Sequence, residues 1–127
     1  MKSEDEARQD FRRNKYARIF ADFAVPPAVW TEDGGAVEAE HLPISAALQK
    51  RYEIWWYWYQ ERMLTNEGLG GPDPATFDMA AHAREGRAIA GAMKRELPDW
   101  RVVYVDQFTR WQAGNGAKSS AYTFEIA

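Results

Sequence analysis

One segment of the chain, Ile54 to Tyr59, is hydrophobic at every position and contains five consecutive aromatic residues. Its flanks favour helix, so we predict a helix over about residues 45–64, with strand as the alternative because aromatic residues also favour strands. Consecutive residues of a helix point in every direction, since about 3.6 residues complete a turn. Such a helix must lie at the centre of a domain, or part of it must contact another molecule.

A second long helix is predicted from about Asp78, which can cap its first turn, to Leu97, where the following proline ends it. Gly86 and Ala90 lie on its apolar face. Their small size would let this helix approach a bulky neighbour closely, and the aromatic helix is the candidate neighbour. Between the two helices, the glycines and prolines from Gly68 to Pro74 predict a loop.

The N-terminal segment has an apolar stripe. Tyr16, Ile19, Phe20 and Phe23 recur at helical spacing, which predicts a single amphipathic helix over residues 3–23. We interpret the basic residues on its other faces as solvated surface. A nucleic-acid-binding surface is the alternative, weakened by acidic residues nearby. The basic residues are Arg8, Arg12, Arg13, Lys15 and Arg18.

A small hairpin is predicted between these helices. Val29-Trp30 and Ala36-Val37 would pair across Asp33-Gly34-Gly35, because Asp-Gly and Gly-Gly pairs are turn signals. An irregular loop is the alternative for this segment.

The C-terminal part predicts two further strands. The first runs from Arg101 to Val105 and continues to Phe108 or Trp111, and the second covers Ala121–Ile126. We expect them to pair antiparallel through a longer loop or a bulge, because a one-residue slip would turn every side chain to the other face. Together the elements predict an α+β domain in which three main helices pack with a small C-terminal antiparallel sheet.

Composition narrows the classes of function. The 127 residues are 46% hydrophobic and 28% charged, which fits one domain over residues 1–127, frayed over about the first ten. A net charge of −3 argues against a nucleic-acid partner. The absence of cysteine excludes disulfides and thiolate metal sites and is compatible with the cytoplasm, where we expect this protein. No apolar run approaches the roughly 20 residues that span a bilayer, so no membrane association is expected.

The chain offers little candidate chemistry. His82 shares one side of the second long helix with Asp78 and Glu85, a spacing that could orient an imidazole beside a pocket. A small enzyme or ligand-binding protein using this pocket is the alternative function. The preferred interpretation is a surface histidine beside helix-capping acids. The other histidine ends the polar stretch Glu38-Ala39-Glu40-His41. We predict no catalytic residue, no metal ligand and no cofactor.

The aromatic helix allows three interpretations. It is the central core helix, or one side is core and the other an interface, or its aromatic residues line a pocket or stack on bases. Exposure without a partner is the least favourable outcome, because each buried aromatic removes about 150–250 Å² from water. The candidate partner-binding residues are Trp56, Tyr57 and Trp58.

Two stretches of the chain resemble known sequences. The first is Ala28-Val29-Trp30-Thr31-Glu32-Asp33-Gly34 with Leu42-Pro43-Ile44-Ser45, and the second is Glu85 to Ala90 with Leu97 to Tyr104. Both are similar to small bacterial proteins of unassigned function, some of them regarded as immunity proteins of toxin systems. Immunity proteins that block nucleases are often strongly acidic, and a charge of −3 departs from that pattern.

The sequence therefore predicts a non-enzymatic interaction module. Its partner is another protein, such as a toxin, or a second copy of the same chain. The aromatic-rich helix supplies the contact surface. It is apolar on every side, and one small fold has too few other elements to bury every side of it.

Overall fold

The computed structural model describes residues 3–22, 26–65, 78–114 and 116–127. Within these ranges, four helices and a five-stranded mixed sheet form the α+β fold that the sequence predicts. The predicted loop from Gly68 to Pro74 lies outside the described residues. The helices are α1 (Glu4–Asn14), α2 (Ala46–Thr65), α3 (Met79–Glu96) and α4 (Gln107–Ala113), and the strands are β1 (Tyr16–Ile19), β2 (Ala28–Trp30), β3 (Ala36–Glu38), β4 (Arg101–Val105) and β5 (Thr123–Ile126).

The sheet draws strands from both halves of the chain, in the order β3-β2-β1-β4-β5. The prediction of a purely C-terminal antiparallel sheet is wrong in this respect. The central pair, β1 and β4, is parallel, with Tyr16 opposite Arg101 and Ile19 opposite Tyr104, whereas the other neighbours are antiparallel. Because strands flank this pair on both sides, its hydrogen-bonding edges are covered.

The single helix predicted over residues 3–23 is also wrong. Helix α1 ends at Asn14, and Lys15 adopts a left-handed conformation (φ 51°), from which its N–H donates to the Phe11 carbonyl oxygen at 3.2 Å. The N–H of Arg101 in turn donates to the Lys15 carbonyl oxygen at 2.8 Å. The chain thus leaves the helix directly into β1. The long-range pairing with β4 prevails over the local helical spacing of the apolar residues.

The predicted hairpin is confirmed. Strands β2 and β3 pair with Ala28 opposite Glu38 and Trp30 opposite Ala36. The turn is closed by a hydrogen bond from the Thr31 N–H to the Gly35 carbonyl oxygen at 2.8 Å. Gly34 has φ 93°, a conformation that L side chains rarely adopt, so glycine suits this turn.

The C-terminal strands pair antiparallel as predicted, with Val102 opposite Ile126 and Val105 opposite Thr123. The predicted extension of the first strand to Phe108 or Trp111 is wrong, because helix α4 begins at Gln107. The side chain of Asp106 accepts a hydrogen bond from the Thr109 N–H at 2.9 Å and caps this helix. The expected longer connection is therefore a helix followed by a short 3-10 turn.

Helices α2 and α3 form as predicted and pack closely together. At Gly86, an added Cβ would lie 2.5 Å from Cζ2 of Trp55 in α2 and 2.7 Å from the hydroxyl of Tyr104 in β4. The Tyr104 hydroxyl donates to the carbonyl oxygen of Ala83 at 3.0 Å. The small face of α3 thus accommodates the aromatic helix on one side and the sheet on the other, as its glycine and alanines predict.

Helix α2 is fixed at several points. Ser45 caps it, since its hydroxyl accepts from the Leu48 N–H at 3.2 Å, and donates to Glu96 at the end of α3 at 2.8 Å. The hydroxyl of Tyr52, fully buried, donates to the Ala28 carbonyl oxygen in β2 at 2.6 Å. Among the described helices, none combines the length and apolarity that crossing a bilayer requires.

We expect Gly86→Ala to lower the free energy of unfolding by about 1–3 kcal/mol, because the new methyl group would overlap the Trp55 ring. Gly91→Ala, five residues later in the same helix, is the matched control. Its Cβ would meet nothing closer than 3.6 Å, so it should stabilise by about 0.5–1 kcal/mol through helix propensity. Urea denaturation measures both. Equal effects of the two substitutions would contradict the packing described here.

Candidate protein-binding surface

The core takes up most of the aromatic side chains of α2. Tyr52, Trp55, Trp56 and Tyr59 are all buried, and Trp56 has no exposed surface. Trp58 is half-buried and packs against the core. Of the three candidate partner-binding residues, Trp56 therefore faces inward, and it can influence a partner only through its support of the helix.

His82 joins α3 to this aromatic core. Its ring stacks on Trp55 (centroids 4.5 Å apart, planes 9° apart) and meets Trp58 edge-on at 4.9 Å. Two hydrogen bonds connect the same residues. The Trp55 indole donates to the His82 carbonyl oxygen at 2.8 Å, and Nε2 of His82 lies 3.0 Å from the Trp55 carbonyl oxygen. A carbonyl can only accept, so Nε2 carries the proton.

The three residues of the predicted pocket have separate structural positions. His82 is only 1% exposed, enclosed by aromatic rings. Asp78 caps α3 by accepting from the Ala81 N–H at 2.9 Å. Glu85 accepts two hydrogen bonds from the Arg51 guanidinium, at 2.8 and 2.9 Å, and this contact holds the Glu85 pKa below its usual value. Use of these residues in a pocket stays a prediction.

The outer side of α2 carries exposed apolar surface. Ile54 is 61% exposed and Tyr57 38% exposed, and residues three apart on a helix are neighbours on its surface. Glu53 and Lys50 flank them, 3.6 Å apart through their charged atoms. Tyr57 is thus the candidate partner-binding residue that reaches the surface most fully, and Ile54 extends the apolar area beside it.

A cleft of about 340 Å³ opens beside Tyr57. Its remaining walls come from the chain before β2, the segment after β3 and the start of α2. The lining residues are Pro26, Pro27, Glu38, Ala39, Glu40, Gln49, Tyr52, Glu53 and Tyr57.

Hydrogen bonds hold the walls of this cleft in place. The side-chain amide of Gln49 donates to the carbonyl oxygens of Ala39 and Leu42, each at 2.9 Å. The N–H of Ala39 donates to the Pro27 carbonyl oxygen at 2.9 Å. These contacts join α2, the segment after β3 and the segment before β2, so the cleft is formed before any partner binds.

Within the described residues, Glu38, Glu40 and His41 bring their potential ligand atoms within 4.8 Å of one another, the arrangement a metal ion would need. Both carboxylates are exposed, and exposed acids often gather in this way without a metal. His41 Nε2 lies 3.6 Å from the Glu40 carboxylate, beyond hydrogen-bonding distance, and has no other described hydrogen-bond partner. These residues would bind a metal ion only weakly, because both carboxylates are exposed to solvent.

A larger groove, of about 760 Å³, separates α1 from the β2–β3 hairpin. Two of its three acids contact bases: Asp10 lies 3.3 Å from Arg13, and Glu32 lies 3.5 Å from Arg101. The third, Asp33, accepts hydrogen bonds within the hairpin turn from the Thr31 hydroxyl and the Gly35 N–H. Part of the negative charge around this groove is therefore balanced within the chain.

Comparison with protein families matches residues 15–107 to the family described as Serratia CdiI immunity protein-like, which is more than half of the chain. The chain belongs to this family. The matched range runs from β1 to the start of α4 and so contains α2, α3 and every cleft residue. Searches of curated proteins and of solved structures found no match. Family membership confirms the resemblance to immunity proteins and supports a protein-binding role.

Sequence reasoning identified α2 but missed the rest of the surface. In the sequence, Ile54 is one member of the hydrophobic run, and nothing in the Glu38-Ala39-Glu40-His41 stretch distinguishes its acids from other polar loop residues. Their proximity to Tyr57 depends on the hairpin folding back against α2. The sequence features that indicate this proximity are the pair of prolines and the hairpin turn, which together bring the segments before and after the hairpin close to each other.

The burial of His82 predicts a pH dependence of stability. Burial lowers its folded-state pKa from 6.5 to about 4, so between these pH values the unfolded chain binds a proton that the folded chain does not. The free energy of unfolding should therefore fall as pH drops from 6.5 towards 4, by on the order of 3 kcal/mol from this group.

Urea denaturation of wild type and His82→Gln over this pH range measures the contribution. Glutamine can still donate to the Trp55 carbonyl but does not titrate, so the variant should show a shallower decline. Parallel curves for the two proteins would contradict a buried, neutral imidazole.

Proposed function

We propose that this protein is an immunity protein that neutralises a toxin by binding it, without catalysis, through the outer side of α2. Tyr57 and Ile54 form the centre of the contact and Trp58 its edge, while Trp56 holds the helix from the core side. We further propose that it acts in the cytoplasm, which a chain without cysteine allows.

The observation that carries this proposal is the exposed pair on α2 beside a preformed cleft. Large exposed apolar residues on a rigid helix are typical of binding surfaces, and tyrosine is enriched among the residues that contribute most to affinity. Because α2 is fixed to both α3 and β2, little conformational entropy is lost when a partner docks on it. The family to which the chain belongs supports a toxin as the partner.

Self-association through the same surface is the second form of the proposal. It rests on the same two side chains, Ile54 and Tyr57, because a twofold contact could cover each copy with the other. Sedimentation at micromolar concentration separates the two forms. A wild-type dimer that dissociates in Tyr57→Ala would assign the surface to a second copy of the chain.

The small-enzyme alternative, with a pocket near His82, has weaker support. The imidazole is enclosed by Trp55, Trp58 and Tyr59, and the carboxylate of Glu85 is engaged by Arg51. A substrate would have to displace part of the aromatic core to reach this ring. We therefore prefer the interaction module.

We expect Tyr57→Ala to weaken binding of the cognate toxin by about 30-fold, because truncating a central interface tyrosine costs about 2 kcal/mol. Isothermal titration calorimetry with the purified toxin measures this change. Circular dichroism and thermal unfolding confirm that the variant folds.

Trp111→Ala is the matched control. Trp111 is also an exposed aromatic residue, 48% accessible, but it lies on α4 rather than α2. Its removal should leave affinity within about twofold of wild type, since a residue outside an interface contributes little to binding. Loss of binding in Trp111→Ala with full binding in Tyr57→Ala would place the interface on α4 and contradict the proposal.

A further inference from the structure

The cleft beside Tyr57 carries an excess of negative charge. Glu38, Glu40 and Glu53 line it. Of these, Glu53 has a base beside it, Lys50 at 3.6 Å, but both side chains are about half exposed or more, so the pair contributes little. Within the described ranges, no lysine or arginine pairs with Glu38 or Glu40, although the His41 imidazole lies 3.6 Å from Glu40. Three carboxylates thus share a small concavity with one exposed lysine at its rim.

The apolar wall of the cleft suits the planar face of a guanidinium group. Tyr57 and Pro27 line it, and the described residues place no cation over the Tyr57 ring. Elsewhere this chain covers its own aromatic rings with arginine: Arg87 lies 5.0 Å from the Phe124 ring centre and Arg110 lies 5.5 Å from that of Tyr122. A guanidinium within about 6 Å of an aromatic centre is attracted to its electron-rich face.

We propose, on the basis of the function proposed above, that the cleft takes an arginine side chain from the surface of the toxin. The planar guanidinium would stack on Tyr57 and direct its N–H groups to Glu40 and Glu53, with Glu38 adding to the local field. Arginine fits better than lysine, because a compact ammonium can neither stack nor donate in a two-pronged manner. At about 340 Å³, the cleft has room for one long side chain.

The cleft concentrates negative charge locally, although the net charge of the chain is modest. A total of −3 gives little long-range attraction for a basic partner. Three acids around one aromatic residue instead place complementary charge where contact is made, which favours the correct partner and orientation. In the larger groove beside α1, by contrast, two of the three acids, Asp10 and Glu32, already contact Arg13 and Arg101.

The test compares two double variants with the same change in charge. Glu40→Gln/Glu53→Gln removes two of the three carboxylates of the cleft, and Glu4→Gln/Glu32→Gln neutralises two exposed acids outside it. Calorimetry measures the affinity of each, and of wild type, for the cognate toxin at low and moderate salt. We expect the cleft variant to bind about tenfold or more weakly and to lose part of the salt dependence, with the control within about twofold of wild type.

The outcomes separate this inference from the proposed function. Failure of the wild-type chain to bind the toxin would overturn both. Wild-type binding that the cleft variant matches at every salt concentration would overturn the arginine inference alone and leave the binding surface in place. Binding that EDTA abolishes and Zn²⁺ restores would also overturn it, since Glu40 would then hold a metal with Glu38 and His41 rather than a guanidinium.

Discussion

The close approach of α2 and α3 at Gly86 is the contact on which the rest of the structure depends. Without a side chain at this position, the Trp55 indole lies against the α3 backbone, donates a hydrogen bond to the His82 carbonyl oxygen and stacks on the His82 ring. The Nε2 of His82 in turn donates to the backbone carbonyl oxygen of Trp55. Each buried aromatic residue contributes several kcal/mol, at about 25 cal/mol per Å² of apolar surface. The inner side of α2 is therefore buried in the core. Its outer side, where Ile54 and Tyr57 lie, has no such neighbour among the described residues. We interpret this exposed side of the helix as the surface that binds a partner.

The sequence was sufficient for elements whose signals are local. The helix formers around the aromatic run, the Asp78 cap and the turn at Asp33-Gly34-Gly35 each determine structure within a few residues. It was insufficient where distant strands decide. Tyr16 to Ile19 fit a helical stripe equally well, and their pairing with β4, more than 80 residues away in the chain, makes them a strand. In the same way, the strand-like residues after Val105 form α4 because Asp106 caps a helix there.

The candidate surface was predictable only in part, for a physical reason. Periodicity on a helix identifies which residues share a side, but every residue of the aromatic run is apolar, so the run itself has no polar side to show which direction faces solvent. Within this run the sequence pattern did not distinguish Trp56, Tyr57 and Trp58, and their neighbours in the fold leave them buried, exposed and half-buried. The cleft beside Tyr57 is formed by three separate segments of chain. Its acids gain significance only when the Gln49 side chain holds these segments together.

Hydroxyl-radical footprinting of the free chain and of its complex with the cognate toxin tests the central claim most directly, because it reports on the accessibility of side chains without requiring any substitution. Tyr57 and Trp111 are both exposed in the free protein and should both be oxidised, whereas Trp56 is buried. The account predicts that oxidation of Tyr57 falls sharply in the complex while that of Trp111 is unchanged. Unchanged oxidation of Tyr57 in a fully formed complex would contradict it.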